Sequence, residues 1–251
     1  MASDAVFDGL PAETQVTLRS YVKDTSDIFG PLLDGMILYG SAVRGEFLPG
    51  RSNLNVLLLL TSHEREALKR YARGHKKWAR EQIVVPLFLT ESELHASVAS
   101  FPLEYVEIQE QHRLLAGRDP FIGLHVDTTN LGLEIRQNVR SNLVRLRQRF
   151  VEGGGTEEAM TILLPLSLTA ILPSLRGLHR LEQRTTNAHA ETLIQYLQDR
   201  AGIDCSGFRD VLNLKRGLIT PGPAELPRLF DRYTASLEAL MQVLENPTTG
   251  R

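Results

Sequence analysis

The chain has 251 residues, 42% hydrophobic and 23% charged, with a formal net charge of -2. That is the composition of a globular protein long enough for two ordinary domains, and it argues against a general attraction to nucleic acid or to an anionic membrane. The single cysteine, Cys205, excludes a disulfide framework and a multi-cysteine zinc site, and it fits a reducing, cytoplasmic compartment.

The first residues, MASDAVFDGL, lack the basic and apolar regions of an export signal. The apolar run Val56 to Leu60 falls short of the roughly 18 residues of a membrane span, and so does Ile162 to Leu175, which Pro165 and Pro173 interrupt. A soluble protein without a membrane partner is expected.

Leu18, Tyr21, Val22, Ile28 and Phe29 recur at helical spacing before Gly30-Pro31, which predicts a leading helix. Met36 to Tyr39 and Val56 to Leu60 read as buried strands, ending at Gly40-Ser41 and Thr61-Ser62. Thr61 and Glu64 stand in capping-box spacing ahead of a helix whose apolar face is Leu68, Tyr71, Ala72, His75, Trp78 and Ala79. Ile83 to Leu89 predicts a third strand, and Thr90-Glu91-Ser92-Glu93 opens a helix through Val98. Tyr105 to Leu115 has no clean period and reads as strand or short helix before the turn cluster Ala116 to Pro120.

Beyond Asp127 the pattern becomes helical. Ile135, Val139, Leu143, Leu146 and Phe150 form a stripe that stops at Gly153-Gly154-Gly155, and further helices are expected near 157–180, 187–203 and 224–245. The expected architecture is therefore α/β (α+β): a small mixed sheet with flanking helices over residues 1–125, then a helical bundle over 128–251.

The stretch with chemical content is Leu38-Tyr39-Gly40-Ser41-Ala42-Val43-Arg44-Gly45-Glu46 through Ser52-Asn53-Leu54-Asn55-Val56-Leu57. It resembles the signature of the polymerase-beta-type nucleotidyltransferase superfamily, in particular its small bacterial members: strand, Gly-Ser, short helix with Arg-Gly, then Ser-Asp-x-Asp on the next strand. The resemblance covers residues 35–90 and extends loosely to about 120. It implies that Gly40, Ser41, Arg44, Gly45 and Ser52 form a nucleotide-binding turn, because glycine permits close backbone approach, serine donates to phosphate and arginine adds charge.

Active members carry two aspartates on the second strand, on one face, where they hold two Mg²⁺ ions against a triphosphate. Asn53 and Asn55 occupy those positions here, and an amide oxygen brings no negative charge. The third carboxylate that active members supply from the following strand is also missing from Ile83 to Leu89. Glu104 and Glu107, expected on a neighbouring strand, are the candidate replacements.

Two readings follow from the resemblance. One is a nucleotidyltransferase-like pseudoenzyme that binds a nucleoside triphosphate or a protein partner, the latter through its helical half. The other is an active Mg²⁺-dependent enzyme that transfers a nucleoside monophosphate to an unknown acceptor, with Asn53 and Asn55 as weak metal ligands and Glu107 or Glu104 as the acid.

Arg136, Arg140 and Arg147 fall near one helical face that could reach a nucleotide phosphate or an RNA backbone, and Lys69, Arg70, Arg73, Lys76, Lys77 and Arg80 form a second basic group; a solvated face is the commoner explanation for both. The pattern of Arg followed by His, found in ribonucleases of the HEPN type, occurs at Arg184–His189 and again at Arg70–His75. No zinc-protease, Walker or Rossmann motif is present.

Overall fold

The structure, a computed structural model, describes residues 4–182 and 188–246. The chain divides into two compact units, residues 1–127 and 128–251. The first has a four-stranded mixed sheet with helices, and the second is helical among its described residues.

In the first unit, α1 (Ala12–Phe29) leads into β1 (Leu33–Tyr39), and β2 (Asn55–Leu60) returns antiparallel beside it. After α2 (Arg65–Arg80), β3 (Leu87–Leu89) pairs parallel with β2. Two helices follow, α3 (Glu91–Ser100) and α4 (Pro102–Glu110), and β4 (His112–Gly117) then adds antiparallel to the free edge of β1. The strand order is β3-β2-β1-β4.

Both faces of this sheet are covered, which is why β2 is a continuous apolar run rather than an alternating one. Met36, Leu38, Val56, Leu58 and Leu60 pack with Leu18, Tyr21 and Phe29 of α1 and Tyr71 and Trp78 of α2. Ile37, Leu57 and Leu59 on the opposite face pack with Leu94 and Val98 of α3 and Tyr105, Val106 and Ile108 of α4. The Tyr21 and Tyr71 hydroxyls share a buried hydrogen bond of 3.0 Å, and Trp78 meets the Tyr21 ring edge-on at 5.2 Å.

Several local expectations change in the folded chain. The capping box of Thr61 and Glu64 does not form: Glu64 is the N-cap, without a side-chain bond, and the Thr61 amide donates to Leu32 O at 2.9 Å at the sheet end. The buried face of α2 is Ala67, Tyr71 and Trp78, whereas Ala72 and Ala79 are exposed. A capping box does form one helix later, between Thr90 and Glu93.

The third strand is shorter than Ile83 to Leu89. Ile83 makes an isolated bridge to Leu54, Val85 is exposed and Pro86 has no N–H to donate, so regular pairing resumes only at Leu87. The segment without a clean period contains a helix and a strand in succession, α4 and β4, meeting at Gln111. Two periods in one short window cancel each other.

In the second unit, α5 (Leu131–Glu152) and α6 (Glu157–Leu181) are joined through the Gly153-Gly154-Gly155 turn. Then come α7 (Ala190–Ala201), α8 (Ser206–Arg216) and α9 (Glu225–Glu245). Helix α8 was not among the expected elements; Phe208, Val211 and Leu212 bury its apolar face in the same core as Leu164, Leu168, Leu193 and Tyr233.

Pro165 and Pro173 lie inside α6 and do not divide it. The helix is consequently long and apolar enough by length and composition to cross a membrane, contrary to the sequence expectation, although half of that stretch is buried within the protein. Asn142, Ser167 and Tyr233 form a buried polar chain in this core: Asn142 Nδ2 donates to Ser167 O, Ser167 Oγ to Asn142 Oδ1, and Tyr233 Oη to Ser167 Oγ, at 3.1, 2.7 and 3.0 Å.

The basic faces are exposed and carry ion pairs. On α5, Arg140 pairs with Glu245 and Arg147 with Glu238; on α2, Lys69 pairs with Glu66 and Lys77 with Asp24. Most of the Arg184–His189 pattern, Arg184 to Asn187, lies outside the described residues. In its other occurrence Arg70 donates to Ile28 O, and the His75 ring stacks on Tyr71.

Candidate functional site

At the end of β1 the chain reverses through Gly40, whose φ of +84° lies in the left-handed region that glycine adopts without strain. Gly40–Ala42 form a single 3-10 turn, shorter than the helix the resemblance implied. The Val43 and Arg44 amides both donate to Gly40 O, at 3.1 and 3.3 Å, and the Glu46 amide donates to Ser41 O at 3.0 Å. Gly45, at φ +73°, ends the turn. Ala42 is buried, and Ser41 and Arg44 are partly buried.

The turn aims Arg44 between two carboxylates. Its Nη1 donates to Glu107 Oε1 of α4, and its Nε lies 3.3 Å from Glu46 Oε2. All three side chains are 12–14% exposed, so both contacts are largely buried. Glu104 and Glu107 are not strand residues: both lie on α4, because the 101–110 stretch begins with a helix-compatible Phe101-Pro102 step.

Asn55 opens β2, is half-buried and is the register partner of Tyr39; His112 of β4 is the partner of Tyr39 on the other side. A β-carbon on Gly40 would stand 2.7 Å from Asn55 Nδ2, so the amide of Asn55 occupies the space that glycine leaves. Asn53 precedes the strand rather than belonging to it and is exposed. Ser52 is buried, and its hydroxyl accepts from the Leu48 amide at 3.1 Å inside the loop.

Sequence reasoning missed three residues here. Burial, followed by the charges of Glu104 and Tyr105, pushes the Tyr39 phenol well above its ordinary range. His112 places Nε2 3.0 Å from Asp119 Oδ2 and Nδ1 2.9 Å from Ile108 O. Gln82, the one described non-glycine residue with positive φ, at 65°, accepts from the Gly50 amide at 2.8 Å and donates to Ser52 O, tying down the loop ahead of Asn53. The Tyr-Gly step at a strand end was a visible signal for Tyr39; nothing local marked Gln82.

These donors do not fit the Mg²⁺ pair of an active nucleotidyltransferase. Asn53 and Asn55 are neutral, β3 and its approach carry no acid, and the Glu107 carboxylate is held by a guanidinium. Among the described residues, no group of three or more His, Cys, Asp or Glu side chains could hold a metal ion. In the helical unit a separate cavity of about 690 Å³ is lined by residues including His179, Tyr196, Glu191, Arg209 and Asn213; the His179 and Tyr196 rings meet edge-on at 4.9 Å.

A mixed sheet ending in a Gly-Ser turn, followed by a helical unit, defines a nucleotidyltransferase-like fold, and the comparison of structures agrees. The chain is similar to the spectinomycin adenyltransferase AAD(9) from Enterococcus faecialis, solved with ATP and spectinomycin: the TM-score is 0.55 at 9% identity, over 89% of this chain and 99% of that one. At that identity the likeness is one of fold. The sequence matches no protein-family model and no curated protein.

Proposed function

We propose that this chain is a nucleotidyltransferase-like protein that has lost catalysis and serves as a binding or regulatory module, retaining a phosphate-binding turn at Gly40, Ser41, Arg44 and Gly45. The observation that carries the reading is the neutral pair Asn53 and Asn55 where active enzymes hold metal, with the Asn55 amide nitrogen packed against Gly40. Two missing charges remove most of the attraction for a divalent ion, and no nearby strand replaces them. What the turn keeps is glycine geometry, a serine hydroxyl and a guanidinium, which together suit a phosphate group.

One observation favours the active reading. Helix α4 packs on the sheet face that carries Tyr39, which brings Glu104 and Glu107 to the side of the sheet where Asn55 lies. Calorimetric titration with ATP, with and without Mg²⁺, separates the readings. Binding that is indifferent to Mg²⁺ supports the module; strictly Mg²⁺-dependent binding with nucleotide turnover supports the enzyme and sinks the first proposal.

A further inference from the structure

Arg44 is the cation that a phosphate at this turn requires, yet in the structure it is already in contact with two carboxylates. Glu46 is two residues along the chain, in the same loop. Glu107 is different: it lies 63 residues away, on a separate helix. Both contacts lie in a largely buried setting, where screening by salt is weak. A phosphate approaching Arg44 competes with the Glu107 carboxylate for the same guanidinium.

We infer that Glu107 is an internal anion that occupies Arg44 until a phosphate group displaces it, so that ligand binding at the Gly40–Arg44 turn releases α4. The inference rests on the phosphate-binding turn proposed above and adds a gate to it. A carboxylate and a phosphate present similar oxygens to a guanidinium, and the phosphate carries the greater charge, so the exchange conserves the type of contact while strengthening it.

Helix α4 is suited to such a release. It has nine residues, begins at Pro102 and has no side-chain N-cap bond, so its first turn lacks the cap that would resist fraying. Tyr105, Val106 and Ile108 pack it on the sheet face by non-directional apolar contact, which tolerates a small shift, while Gln109 Nε2 donates to Leu124 O at 2.6 Å near its C-terminal end.

The test uses the full chain in EDTA, titrated calorimetrically with ATP and with inorganic tripolyphosphate, together with amide hydrogen exchange over residues 102–110. Glu107→Gln should bind about tenfold tighter than the wild type, the scale of removing one charge-assisted competitor. Arg44→Gln should abolish that gain in the Glu107→Gln background. Asp27→Asn, which removes the same charge from the surface of α1, should leave affinity unchanged.

In the wild type, ligand should accelerate exchange in α4, a readout independent of whether any variant folds well. Equal gains with both probes would assign the site to the phosphate chain, and a gain with ATP alone would assign it to the whole nucleotide; either supports the gate. If the wild type binds ATP as tightly as Glu107→Gln, or if ligand protects α4, the gate is wrong and the phosphate turn stands. If neither probe binds any variant, the turn itself is wrong and the gate falls with it.

Discussion

Gly40 and Asn55 meet where β1 ends and β2 begins, and the Asn55 amide nitrogen would be 2.7 Å from any β-carbon placed on Gly40. Active nucleotidyltransferases are expected to keep an aspartate at the Asn55 position, so this contact joins the two halves of the signature in space. Gly40→Ala faces both a left-handed backbone and a collision. We expect it to cost about 2–3 kcal/mol by urea denaturation, against about 1 kcal/mol for Gly123→Ala, where φ is +77° but the space is open. Equal costs would mean that Asn55 moves aside freely.

Restoring the carboxylates is the direct test of the lost metal site. Asn53→Asp with Asn55→Asp should lower the melting temperature in EDTA, because two like charges are added two residues apart and the one at position 55 is half-buried, and Mg²⁺ should recover part of the loss. The recovery will be limited by Asn53, which is exposed and outside the strand. A double variant whose melting is unaffected by Mg²⁺ would count against a nucleotidyltransferase geometry at this turn.

Gln82 holds a strained backbone so that its side chain can bridge Gly50 and Ser52. Gln82→Ala keeps the strain and loses the bridge, so we expect a destabilisation of about 1–3 kcal/mol and faster amide exchange over residues 50–54. Gln82→Gly loses the bridge but relieves the strain, and should be the milder change. The reverse order would show that the backbone is not strained there.

In the helical unit, Ser167→Ala removes the hydroxyl that connects Asn142 and Tyr233, leaving two buried polar groups short of a partner. The expected loss is about 1–3 kcal/mol by thermal or urea unfolding. A change near zero would indicate that the buried chain is rewired around the gap.

Burial pushes the Cys205 thiol up to about 11. The native state then holds its proton more tightly than the unfolded chain, so this contribution to stability is complete below the unfolded thiol value of about 8.5 and is lost as pH rises through about 11. Alkylation at pH 8 should be slow in the native protein and fast in urea. Cys205→Ala should remove that share of the alkaline loss of stability; an equally steep decline in the variant would assign it to the buried tyrosines.

The strongly periodic elements were legible from local pattern: α1, β1, β2, α3 and α5 fall where their apolar spacing and stop signals put them. Segments that failed did so for local reasons. Residues 105–115 mix two periods, Pro86 cuts a strand that its β-branched neighbours advertise, and α8 is short enough to hide between turn residues. In each case a tertiary contact settled what propensity left open.

The absence of acids at positions 53, 55 and 83–89 was readable from residue types alone, since no fold can give an asparagine or a valine a negative charge. Which residues stand around that deficit was decided by tertiary structure: Glu107 reaches Arg44 across 63 residues, Gln82 reaches Ser52 across 30, and Asn55 and His112 flank Tyr39 from different strands. Periodicity reports which face of an element is buried, but the partner of a buried charge depends on how separate elements pack, and that information is not local in the chain.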